Sequence, residues 1–409
     1  MRRANTYIFN KHVIALPLTL LLIVVSLTGC TKYGDIYSWD FRSENNDSSS
    51  TANNTEVEYS LEEYSLRYNF QKLSDSERNL YVKIQNCVFS YGYSVDTDGY
   101  EYDTIKNVFT AFCGDFPECF WINGDWNARG YESLGTNYYT DLVPEYRFTK
   151  TQKEEVQNSI DVIINSFLAR VDAGASDYDK MLDVYNFIAA YAKYDDSSAD
   201  KITSGSVDNS TDRSCAIDGF FIDKLAVCSG FSKATQILLN RLGIECAYVT
   251  GTASGSGHSW NLVKLDGEYY YTDTTWAATK ESGESAIDYG YFCMTTNELL
   301  YDHIIGSDME LPYCDAIKLD YYVYNGLVAD SADPNELAAI FRLSLKSNNT
   351  GTYISVKFTS SDIYSEACTA LFDNSGIFGI LNQIGMQNND ASLSYSTDDG
   401  RLIITVYLD

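Results

Sequence analysis

Ser259-Trp-Asn-Leu-Val-Lys-Leu265, Asp266-Gly267 and Glu268-Tyr-Tyr-Tyr-Thr-Asp273 read as two strands joined by a two-residue turn. Asp-Gly between runs of strand-forming residues is a strong type I′ hairpin signal, because both turn positions need φ > 0. Such a turn opposes Leu265 and Glu268, so facing residue numbers sum to 533 (265 + 268). Asp273 then faces Trp260, and His258, two residues from Trp260, lies on the same face and diagonal to Asp273. Diagonal neighbours sit about 7–8 Å apart at the backbone, within reach of an imidazole–carboxylate hydrogen bond. The register alone therefore expects His258 and Asp273 to be bonded side by side.

Upstream, Val227-Cys228-Ser-Gly-Phe231 opens a segment whose apolar residues Phe231, Ala234, Ile237, Leu238 and Leu242 share one helix face, ended by Gly243. Cys228 stands at the start of that helix, where free N–H groups and the dipole favour thiolate over thiol and lower its pKa from about 8.5. A strand over 244–250 and a glycine-rich loop from Gly251 to Gly257 are expected between the helix and His258. A thiolate, a base beside it and an acid orienting that base are the parts of nucleophilic acyl transfer.

Ala226-Val-Cys-Ser-Gly-Phe-Ser-Lys-Ala234, Gly257-His-Ser-Trp-Asn261 and Tyr271-Thr-Asp-Thr-Thr-Trp276 resemble the three motifs of bacterial transglutaminase-like proteins, relatives of the papain-like cysteine peptidases. The order Cys, His, Asp and the spacings of 30 (258 − 228) and 15 (273 − 258) agree with that family. The resemblance runs over about 176–325, including Tyr178-Asp-Lys…Tyr194-Asp195 and Asp320-Tyr-Tyr-Val-Tyr-Asn-Gly326, and is looser outside that range. It implies an α+β fold in which the Cys-bearing helix packs on an antiparallel sheet. It also implies Cys228 as nucleophile, His258 as base and Asp273 as its orienter, with Trp260, Asn261 and Trp276 near the site and no metal or cofactor. Family members often carry Tyr ten residues before the Cys; here that position is Asp218, an acceptor when ionised, which leaves the Cys228 backbone N–H as the identified oxyanion donor.

The function implied is that of a cysteine enzyme cleaving or transferring amide bonds of peptides or proteins through a thioester, with hydrolysis favoured over transamidation. The alternative is a non-catalytic module on the same fold that binds peptides or cell wall. Taken singly, Cys228, His258 and Asp273 could be a small buried residue, a surface residue and a turn cap. Trp260 and Trp276 read as core beside the site, Asn261 as a strand polar residue, and His303 in Tyr-Asp-His as structural, with no visible acid–base partner. Asp96-Thr-Asp-Gly-Tyr-Glu-Tyr-Asp103 lacks EF-hand spacing and reads as a turn.

The whole chain bears on partners and compartment. Its 409 residues carry 29 Lys+Arg against 57 Asp+Glu, a formal net charge of −28. A surface that negative repels phosphate backbones, which excludes nucleic acid as a partner. Three histidines, one of them His12 near the N-terminus, are too few for a zinc site built on several. Arg2, Arg3 and Lys11 precede an apolar run over 13–25 and then Leu27-Thr-Gly-Cys30, the pattern of a secretory signal. Leu-Thr-Gly-Cys resembles the lipobox of bacterial lipoproteins, which implies cleavage before Cys30, acyl chains attached to it, and a protein anchored to the cell membrane and facing outwards.

The expected organisation is a signal peptide at 1–29, a lipid anchor and flexible tether at 30–57, and an α+β accessory module at 58–150. The transglutaminase-like domain is expected at 151–330 and a small α/β module at 331–409. Within these, Ser74 and Glu77 mark a capping-box helix start. Val156, Ile160, Ile163, Ile164, Phe167 and Leu168 form one helix face, Met181, Leu182, Tyr185 and Ile188 another, and the Ser/Asp/Thr-rich 200–213 stretch reads as a loop. The last module reads as helix, strand, helix, strand near 335–343, 352–358, 362–371 and 401–408. Setting aside Cys30 and Cys228 leaves eight cysteines, an even count that permits disulfides outside the cytoplasm without defining their pairing.

Overall fold

A computed structural model describes residues 36–42, 58–133, 136–277, 286–307, 309–347, 352–386 and 393–408. The expected signal peptide, Cys30 and, of the expected tether, residues 30–35 and 43–57 lie outside the described residues. The described chain divides into two compact units: one runs up to Thr275 and takes in Asp302–Pro312, and the other comprises Trp276–Tyr301 and the residues from Tyr313 onward.

The first unit opens with strand β1, Ile36–Arg42, inside the stretch expected to be tether; its sequence alternates aromatic and polar residues, a strand pattern. Helix α1 is Asp75–Ser90, started by the Ser74–Glu77 capping box, and α2 is Tyr102–Asp115. Strands β2, Ile122–Ser133, and β3, Thr136–Tyr146, pair antiparallel, while β1 pairs parallel with β2. Helices α3, Lys150–Leu168, and α4, Asp177–Tyr191, follow, burying Ile160, Ile164 and Phe167 on one and Tyr178, Met181, Tyr185 and Ile188 on the other. The expected loop at 200–213 is instead two short helices, Asp196–Thr203 and Asn209–Ser214. Polar composition hid them, yet Asp195 and Asp208 accept from Ser198 and Thr211 N–H groups as N-caps.

Helix α5, Cys228–Arg241, comes next, followed by strands β4, Cys246–Ala253, β5, Ser256–Leu265, β6, Glu268–Thr272, and β7, His303–Ile305. The four strands form one antiparallel sheet in the order β7-β4-β5-β6. Leu265 pairs with Glu268 and Asn261 with Thr272, so every pair sums to 533, and Asp266 and Gly267 take φ of 52° and 90°. The glycine-rich stretch is largely strand. Only Ser254 and Gly255 turn, with φ of 49° and 80°, and they form a second two-residue hairpin that opposes Gly251 to His258.

Gly251 also decides where β7 can lie. A Cβ there would meet the Ile304 carbonyl oxygen at 2.1 Å and the Trp260 ring at 2.7 Å, so a bare backbone is needed for β7 to pair with β4. That pairing sets His303 opposite Ala253.

Helix α5 has eleven of its fourteen residues buried, so polar side chains on every face need partners. Ser229 bonds the Cys215 carbonyl and Ser232 the Cys228 carbonyl, Thr235 meets Thr274 at 2.9 Å, and Gln236 donates to the Gly114 carbonyl at the end of α2.

In the second unit, helix α6 is Pro334–Ser347, β8 Tyr353–Phe358, α7 Ser361–Cys368, α8 Ile377–Gln383, β9 Ser394–Asp398 and β10 Ile403–Tyr407. Both β8 and β9 pair antiparallel with β10, so a hairpin replaces the single final strand expected, and α8 is an added helix. The turn is held by Asp398, whose carboxylate accepts from the Gly400 and Arg401 N–H groups. Lys357 is enclosed between Glu298 and Asp320, 2.8 Å from the latter.

Candidate active site

Cys228 is the first residue of α5, preceded by Val227 in extended conformation with no side-chain cap. The first N–H groups of a helix have no intrahelical carbonyl, so the sulfur sits at the positive end of the α5 dipole. The sheet beneath holds the other groups. Asn261 donates to the Ser232 carbonyl at 3.0 Å and to Ala247 at 3.3 Å, fastening the first turns of α5 to β4 and β5. Tyr248 donates to Ser229 at 3.0 Å, next to Cys228. Asn261 is thus more than a strand polar residue, since it fixes how far Cys228 stands from the sheet.

His258 Nε2 lies 2.7 Å from Asp273 Oδ2, the bond the hairpin register requires. The Cys228 thiol is a hydrogen-bond partner of His258, and with Nε2 engaged the other ring nitrogen, Nδ1, is left for it. Cys228, His258 and Asp273 are 3%, 6% and 0% exposed, so the three groups act on one another with little screening by water. Trp260 is buried and stacks beside His258 with ring centroids 6.0 Å apart. Trp276 begins the second unit and packs edge-on against Tyr291.

The sequence left His303 without a role, and the structure gives it one. Pairing of β7 with β4 brings His303 Nε2 to 3.3 Å from Asp273 Oδ2, while its Nδ1 meets Asp302 Oδ1. The partner was invisible because the pairing joins residues about fifty apart and the pairing strand β7 is three residues long; Gly251 and Gly306 flanking the contact were the available signal. His258, Asp273 and His303 offer ligand atoms within 4.8 Å of one another, the one metal-sized group among the described residues. Two ligands of one tetrahedral ion stay about 3.3 Å apart, however, and 2.7 Å between His258 and Asp273 is a hydrogen bond.

Electrostatics follow from these contacts. Burial alone would pull His258 down, but the Asp273 carboxylate and the bond to Cys228 overcome it and push the imidazole up to about 10. Burial would raise Asp273, yet His258 and His303 hold its carboxyl well below the usual carboxylate range. Burial opposes the charge on His303 too, and Asp273 and Asp302 raise it. Burial pushes the Cys246, Cys119 and Cys293 thiols up, and none of the nine described cysteines is in a disulfide. Asp218 is fully buried and ion-paired to Arg147 at 3.3 Å. As an acceptor bound to a cation, it does not take the place of the family's Tyr.

Residues 165–276 match the Transglutaminase-like superfamily. This part of the chain is a transglutaminase-like domain. The match contains Cys228, His258 and Asp273 and ends before His303. No curated protein matches the chain. Among solved structures, a TGase is similar at 20% identity and TM-score 0.29, over 39% of this chain and 46% of that one. A candidate cysteine protease from Cytophaga hutchinsonii is similar at 16% identity and TM-score 0.22, over 34% of this chain and 52% of that one. The chain thus spans about half the length of the structures it matches.

The shifts make the stability of the transglutaminase-like domain pH-dependent. A pKa raised in the folded state stabilises below the unfolded value and fades as pH rises through the folded one; a depressed pKa does the reverse. The His258–Asp273 pair should therefore stabilise fully from above about pH 4 to about pH 6.5, and weaken progressively from there until its contribution is lost near pH 10. Asp273→Asn leaves a buried imidazole without its anion and should cost about 3–5 kcal/mol on that plateau. Urea unfolding of both proteins at several pH values checks this, and the difference should shrink at each end.

Proposed function

We propose that the chain is a cysteine enzyme that cleaves or transfers amide bonds of peptides or proteins, with Cys228 as nucleophile, His258 as its acid–base partner and Asp273 as orienter. The observation that carries this reading is the bonded series Cys228, His258, Asp273 running from a helix N-terminus to a buried carboxylate. In the proposed reaction the Cys228 sulfur attacks the amide carbon, and the Cys228 backbone N–H donates to the developing oxyanion. His258 passes the proton to the leaving nitrogen, the C–N bond breaks and a thioester forms. In the second step His258 takes a proton from water as the water oxygen attacks the thioester carbon, the C–S bond breaks, and an acid and the Cys228 thiolate are released. An amine in place of water gives a new amide. Hydrolysis is favoured, because water is everywhere at high concentration while no dedicated amine-binding group is identified among the described residues.

A binding module on the same fold is the second reading, favoured by the 3% exposure of Cys228. Incubation with a thiol-directed electrophile and with a mixed peptide library separates the two. The enzyme reading expects labelling at Cys228 and amide turnover that Cys228→Ala lowers by at least about a thousandfold. Intact peptides and an unlabelled Cys228 at every pH would leave the binding module. A new carboxylate, as a free C-terminus or a Gln or Asn side chain converted to Glu or Asp, indicates hydrolysis, and a new amide to a peptide amine indicates transfer.

We further propose that the protein is held at the outer face of a bacterial membrane by acyl chains on Cys30. Among the described residues no helix is long and apolar enough to cross a membrane. Mass spectrometry of detergent-extracted protein should find acylated Cys30 as first residue, and Cys30→Ser should accumulate the unprocessed chain; processing elsewhere would contradict it.

A further inference from the structure

His303 has a carboxylate oxygen at each ring nitrogen: Asp302 Oδ1 at Nδ1 and Asp273 Oδ2 at Nε2, the latter 3.3 Å away. An ionised carboxylate accepts hydrogen bonds and donates none, whereas a neutral imidazole has one donor and one acceptor. Two ionised carboxylates on one imidazole are therefore satisfied when both nitrogens carry protons. Asp273 has every reason to be ionised, since it accepts from His258 at 2.7 Å and from the Thr275 N–H at 2.8 Å. His303 is 1% exposed and sits edge-on against Trp260, with centroids 4.8 Å apart, so water does not replace either carboxylate. The charged or titratable groups facing it among the described residues are Asp302 beside it, Asp273 past β6 and His258 on β5.

We propose that His303 is a positioning residue for the reaction: a standing imidazolium clamped between Asp302 and Asp273 that offsets part of the Asp273 charge, so that His258 can release its proton to the leaving group. The proposal rests on the reading of Cys228 and His258 as the reacting pair. With Asp273 facing His258 alone, the buried carboxylate would hold the His258 proton tighter still, further from the working pH at which a general acid is most effective. The His303 ring centroid lies 5.4 Å from that of His258, close enough for its charge to be felt strongly in a buried site. Thr275 and His303 also complete the hydrogen bonding of Asp273, fixing the face it turns to His258. His303 lies beyond the matched transglutaminase-like segment and reaches it through the β7–β4 pairing. The concordant rise of His303 noted above supports the same protonation state.

The test uses the whole chain labelled with 15N-histidine, which carries three histidines, two of them here. Long-range proton–nitrogen spectra distinguish an imidazolium from either neutral tautomer without any turnover, so a protein lacking amidase activity still answers. Wild type should show both His303 nitrogens protonated from about pH 5 to about pH 9. His303→Gln keeps a donor toward Asp273 and removes the charge; the His258 midpoint should then move up by about one to two pH units. The basic limb of the amidase profile should move with it. A neutral His303 at pH about 7 in wild type, or an unmoved His258 midpoint in a folded variant, overturns the proposal. If His303→Gln does not fold, the wild-type spectrum decides alone.

Discussion

The Asp273 carboxylate is the charge around which the first unit is arranged. It is fully buried, so its ionised form survives only with donors on both oxygens: Thr275 N–H on Oδ1, His258 and His303 on Oδ2. Each donor needs a separate structural feature. Thr275 needs the turn after β6, His258 the 533 register, and His303 the approach of β7 that Gly251 allows. The site chemistry is thus the outcome of satisfying one buried anion, and the strand edges are placed accordingly.

A second constraint acts from above the sheet. Helix α5 is buried nearly all round, which ordinarily suits an apolar helix, yet it carries Ser229, Ser232, Thr235 and Gln236. Thr235 ties the helix to Thr274 after β6 and Asn261 ties its first turn to β5, while Ser229 and Gln236 fasten it to the Cys215 and Gly114 carbonyls. Cys228 is positioned by these contacts, and the helix N-terminus adds a field that favours its thiolate. Residues of α2 take part through Gly114, so helices expected to form an accessory module share the unit of the transglutaminase-like domain.

What was legible in the sequence was local. The Asp266-Gly267 hairpin, the helix from Cys228 and the Ser74 capping box are each decided within a few residues, and His258 meets Asp273 because both belong to one hairpin. Three of the features that escaped show the physical reasons. The Gly251–Gly257 stretch reads as a loop because glycine weakens strand propensity, although here it admits a neighbouring backbone. The helices at 196–203 and 209–214 have almost no apolar periodicity and are marked by their caps instead. His303 depended on its pairing with Ala253, about fifty residues earlier, which no local pattern reports.

The central claim is that the buried Asp273 holds His258 as an imidazolium against a Cys228 thiolate. A difference titration of thiolate absorbance between wild type and Cys228→Ser measures that pair directly. Other buried thiols such as Cys246, Cys119 and Cys293 are pushed up by burial and stay silent in the neutral range. The account predicts a thiolate already present at pH about 7 and lost with a midpoint well below about 8.5. A signal that first appears at or above about pH 8.5 would contradict it.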